Sequence, residues 1–84
     1  HKTEALAALL PWLQQVIDEG KLSPPVQAEL QANLTALQAL ANASTQSWPV
    51  IGTLTNSVRG ILEGAGGGVL AAQALGWLAT LSGS

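Results

Sequence analysis

The chain contains no cysteine, no methionine, no phenylalanine and no tyrosine. Without cysteine it has neither a disulfide framework nor a thiolate metal site. The single histidine, His1, stands first in the chain and reads as a tag remnant rather than a ligand, so no metal and no other cofactor is expected. The absence of methionine marks the 84 residues as a piece of a longer protein or a processed product. No cleavage-site pattern follows the first apolar run, "ALAALLPWL", so a cytoplasmic setting is favoured over a secreted one, with membrane association left open.

Charge is scarcer still. Charged residues make up 10% of the chain, against about 25% in typical soluble domains. Leu30 to Val58 carries none, and neither does Gly64 to Ser84. Three basic residues and a net charge of −2 exclude a phosphate-binding surface, so no nucleic-acid partner is expected. The same scarcity excludes a polybasic membrane-surface helix. A chain so poor in charge hides its surface in an assembly, touches lipid, or stays soluble on Gln, Asn, Ser and Thr.

What remains is helical in period, with no strand pattern. Leu6, Leu9, Leu10, Leu13, Val16 and Ile17 recur at spacings of three and four and predict a helix over about 3–19, with Thr3 as its cap and a kink or late start at Pro11. Gly20 stops it. Ser23 followed by Pro24 starts a second helix over about 24–42, with Val26, Leu30, Leu34, Leu37 and Leu40 as its stripe. The short connection makes these two an antiparallel hairpin. Ser47 caps a third helix over about 48–64. Ile51, Leu54, Val58, Ile61, Leu62 and Ala65 form its apolar face, and Thr53, Thr55, Asn56, Arg59 and Glu63 the other. The segment 68–81 is apolar on nearly every side, which predicts burial. The expected fold is all-α, one small helical domain over 1–84: a hairpin, a glycine-rich third helix and an apolar fourth, or one long bent helix in place of the last two. Continuity through the glycines is narrowly preferred, with the bend at Gly66 and Gly67.

Nine glycines are present, and their register is informative. Gly52, Gly60, Gly64, Gly68 and Gly76 differ by multiples of four, and Ala72 fills a gap in the series. Residues four apart share a helical face, so Gly60-Gly64-Gly68 predicts a groove without side chains, along which another helix can run closely. Each four-residue step drifts by about 40°, so only this central span serves one straight contact. Trp12, Trp48 and Trp77, with Ile61 and Leu62, are the expected apolar anchors, since tryptophan dominates such contacts. Thirteen strongly apolar residues, Val69–Leu81, fall short of the roughly 20 that span a bilayer.

Chemistry-bearing patterns are weak. Asp18 and Glu19 are adjacent and point about 100° apart on a helix. Arg59 and Glu63 have the spacing of a surface pair worth a few tenths of a kcal/mol. The glycine run lacks the Lys-Ser/Thr ending of a phosphate loop. The sequons at Asn33 and Asn42 are chance matches in a chain with twelve Ser and Thr. No enzyme is expected.

Arg59, Ile61, Leu62, Glu63, Gly64, Ala65 and Gly67, preceded by "SWPVI", form an "R-x-I-L-E-G-A-x-G" segment leading into an apolar end. This layout resembles the helical tail of uncharacterised bacterial proteins, some in presumed phage-defence or abortive-infection settings. The resemblance implies a C-terminal accessory module. The expected function is self-association into a homo-oligomer, or docking of a partner helix, through the apolar stripes and the glycine groove. The alternatives are a membrane-active, pore-forming or anchoring tail of a bacterial effector, and an accessory packing domain of a larger enzyme.

Overall fold

The computed structural model describes residues 1–65 and 68–82. These residues form five helices and no strand: α1 (Lys2–Asp18), α2 (Pro24–Ala41), α3 (Trp48–Gly64), α4 (Val69–Gln73) and α5 (Leu75–Leu81). α1 packs on α2 and α5, and α2 packs on α3. α3 also packs on α4 and α5, while the backbones of α1 and α3 stay more than 8 Å apart, Cα to Cα, among the described residues. The helices therefore form a ring around one apolar interior, and the protein measures 34 × 22 × 17 Å along its principal axes.

The ends of α2 and α3 follow from proline. Ser23 and Ser47 occupy the N-cap positions, yet neither side chain makes a capping bond. Pro24 and Pro25 begin α2, and Pro49 is second in α3, so in each helix the N2 donor, one of the two that a cap serves, is absent. The carbonyls of Ser23 and Ser47 accept from Gln27 and Ile51 N–H at 2.9 Å and start the ladders. α1 begins at Lys2 with His1 as cap, so Thr3 lies inside the helix. Pro11 does not delay the start: α1 runs through it. Pro11 and Ala7 are both exposed, so water can reach the Ala7 carbonyl that proline leaves without an N–H. Gly20, in the left-handed region at φ 68°, ends the turn after α1 and donates to the Ile17 carbonyl at 3.1 Å.

Helix α3 stops at Gly64, and the long continuous helix does not form. Ala65 is extended, with φ −105° and ψ 114°. Gly68 then takes φ 86°, a conformation that costs residues with a Cβ about 1–2 kcal/mol. A run of glycines lowers the helical gain enough for this exit to win. The expected bend at Gly66 and Gly67 lies outside the described residues. The last segment is also split, at Ala74, with φ −97° and ψ 4°. Alanine is the best helix former, so the preference of Ala74 itself does not account for this break, which falls at a fully buried position.

The core is nearly all aliphatic. Leu9, Leu13, Leu30, Leu34, Leu37 and Leu62 are fully buried, with Ile51, Val58 and Leu78. On α3 the buried positions are Ile51, Thr55, Val58 and Leu62, a four-three-four spacing. Thr55 thus belongs to the inner face and not the solvent face that its polarity predicts. Its hydroxyl donates to the Ile51 carbonyl at 2.7 Å, which satisfies the buried oxygen locally. The segment 69–81 is not buried all round. Ala71, Ala74, Leu78 and Leu81 face inward, while Val69 and Leu75 are exposed. Among the described residues no helix is long and apolar enough to cross a membrane.

Two substitutions test this core by urea denaturation. Leu34→Ala is expected to cost about 2–5 kcal/mol, a large share of the stability of so small a domain. Thr55→Val should stay within about 1 kcal/mol of the unmodified chain, because the Ile51 carbonyl keeps its helical partner when the hydroxyl is lost.

Candidate helix-contact surface

The glycines that share one register in the sequence do not share one surface. Gly60 lies two residues from both Val58 and Leu62, about 200° around the helix from each, so it faces away from the core. Gly64 follows one turn later. Both are exposed, and a Cβ built on either meets nothing within 4 Å. Gly68 lies beyond the end of α3, and Ala72 and Gly76 are exposed on α4 and α5. The expected GxxxGxxxG groove is therefore cut after Gly64, because the helix that would carry Gly68 on the same face ends there.

Gly52 is used differently. A Cβ there would lie 3.3 Å from the Leu81 carbonyl oxygen and 3.8 Å from Ser82 Cα. The start of α3 thus meets the end of α5 backbone to backbone, a close approach within the chain itself. Among the described residues, Gly52 is the one glycine of the series whose Cβ would meet another element within 4 Å.

The expected anchors divide in a similar way. Leu62 is fully buried and Ile61 half-buried. Trp12 and Trp77 meet edge to face, with ring centroids 5.9 Å apart and planes at 62°. This contact joins α1 to α5 and is worth about 0.5–1.5 kcal/mol beyond area burial. Lys2 Nζ sits 5.9 Å from the Trp48 ring centroid, at the outer limit of a cation–π contact. The tryptophans thus hold the ring of helices together. Their pairing has no signature in the sequence, since 65 positions separate Trp12 from Trp77.

Among the described residues the polar groups form no converging site. Arg59 and Glu63 approach to 3.7 Å on the surface of α3, and the amino terminus lies 3.8 Å from Glu4. No group of three His, Asp or Glu residues could hold a metal ion among the described residues. Sequence reasoning missed one feature. Leu22, Val26, Ala65, Val69 and Leu70 line an open apolar groove of about 430 Å³, with Gly64 and Lys21 at its margin. Its walls come from separate helices, so no short motif announces it. No family model, curated protein or solved structure matches the chain.

The two glycine environments predict different responses to alanine in thermal and urea unfolding of dilute protein. Gly60→Ala should raise stability by about 1 kcal/mol, since it removes glycine's propensity cost in open space. Gly52→Ala should gain clearly less, or lose stability, because the new methyl meets the Leu81 carbonyl oxygen at 3.3 Å.

Proposed function

We propose that the chain is a non-enzymatic helical interaction module that associates with copies of itself or docks a partner helix. The working surface is the outer face of α3, where Gly60 and Gly64 leave the backbone bare between Asn56, Ser57 and Glu63. In this reading α1 and α2 act as an antiparallel hairpin that supports a glycine-rich α3 with its small face outward. The resemblance of 59–67 to the tails of uncharacterised bacterial proteins, some in presumed phage-defence settings, fits an accessory module of this kind.

One observation carries the proposal. Gly60, inside α3, costs the helix about 1 kcal/mol relative to alanine, and Gly64 is its last residue; apart from the backbone of α3 itself and the chain neighbours, nothing described lies within 4 Å of where either Cβ would be. No contact inside the fold offsets that cost. A helix from another chain, seated against bare backbone, would offset it through dispersion and Cα–H···O contacts. Uncharged neighbours reduce the desolvation that such a contact incurs: Thr53, Asn56 and Ser57 share the exposed side of α3.

Sedimentation velocity across a concentration series tests this. The unmodified chain should sediment faster as concentration rises. Gly60→Leu should weaken association at least about tenfold, equal to about 1.4 kcal/mol, without unfolding the chain. Gln31→Ala, on α2, should leave association unchanged. A monomer at every concentration overturns self-association.

A further inference from the structure

The geometry points to the apolar groove beside Gly64 as the seat of a second copy of this chain, an inference that rests on the self-association reading and names its surface. Leu22 and Val26 form one wall, and Ala65, Leu70 and Val69 the other. Val69 is 61% exposed, more than any other large apolar side chain among the described residues. The same surface therefore offers a protruding apolar side chain and a recess of about 430 Å³ next to it. A two-fold contact requires a surface complementary to itself, because residue i of one copy meets residue j of the other and j meets i. A knob beside its own hole satisfies that requirement.

Charge meets it as well. Lys21, on the wall formed by the α1–α2 connection, makes no ion pair among the described residues. Glu63 does not line the groove but precedes Gly64, which does; it is 57% exposed and pairs with Arg59 only at 3.7 Å. Opposite signs on opposite sides of a groove oppose each other when the groove is doubled by a two-fold axis. Lys21 of one copy then faces Glu63 of the other, twice over. α4 carries no charge, so covering it desolvates none. Gly64 has open space where a Cβ would stand, which lets the second copy come close to the α3 backbone.

The absence of native cysteine makes disulfide trapping a clean test. Val69→Cys and Val26→Cys chains are mixed under mild oxidation, with Thr35→Cys on the outer face of α2 in place of Val26→Cys as the control. Circular dichroism checks that each variant is folded. The mixed disulfide between V69C and V26C chains is expected to form at least about tenfold faster than the control disulfide, because the contact raises the effective concentration of the two thiols. Sedimentation of the reduced chains runs in parallel. Association without that preference overturns the groove and leaves self-association standing. A monomer at every concentration, with no preference, overturns both.

Discussion

The end of α3 at Gly64 is the constraint on which the rest of the structure depends. If the helix continued, residues 69–81 would project along its axis and leave α1 without the partner that Trp12 meets. The extended Ala65 and the left-handed Gly68 redirect the chain. α4 and α5 then return along α3, and α5 reaches α1. The Trp12–Trp77 contact closes the ring, and Gly52 lets the last turn of α5 settle on the start of α3. Glycine thus acts in three ways here: it ends a helix, it permits a close contact, and it leaves a bare face.

The bare face is the part that the fold does not use. Gly52 and Gly68 each have a structural reason, one steric and one conformational. Gly60 and Gly64 have neither a positive φ nor a close neighbour. A charge-poor domain of 84 residues has little stability to spare, so a helix-weakening Gly60 without internal return supports the proposed contact with another chain. The groove beside Gly64 lies at the same end of α3, so the two surfaces can serve a single contact.

Much of the helical framework was legible because local signals and burial agreed. The three- and four-residue spacing of Leu6, Leu9 and Leu13, and the prolines at 24 and 49, located α1, α2 and α3 to within a residue or two. The failures have physical causes. Thr55 looked solvent-facing by polarity, but a hydroxyl that bonds its own helix can occupy a core position. Ala74 breaks a helix that its own propensity favours, at the point where the chain enters α5, which packs on α1 and α3. The four-residue register of the glycines was real in the sequence, but a register describes one surface only while the helix lasts. The groove and the tryptophan pair depend on residues far apart in the chain, and no local pattern encodes them.

The central claim is that α3 carries glycine at Gly60 and Gly64 for a contact with another chain. If association contributes to stability, it does so by mass action. The most direct measurement is the urea midpoint of the unmodified chain over a wide range of protein concentration. The account predicts a midpoint that climbs steadily with concentration. A midpoint that stays constant over the whole range would contradict it.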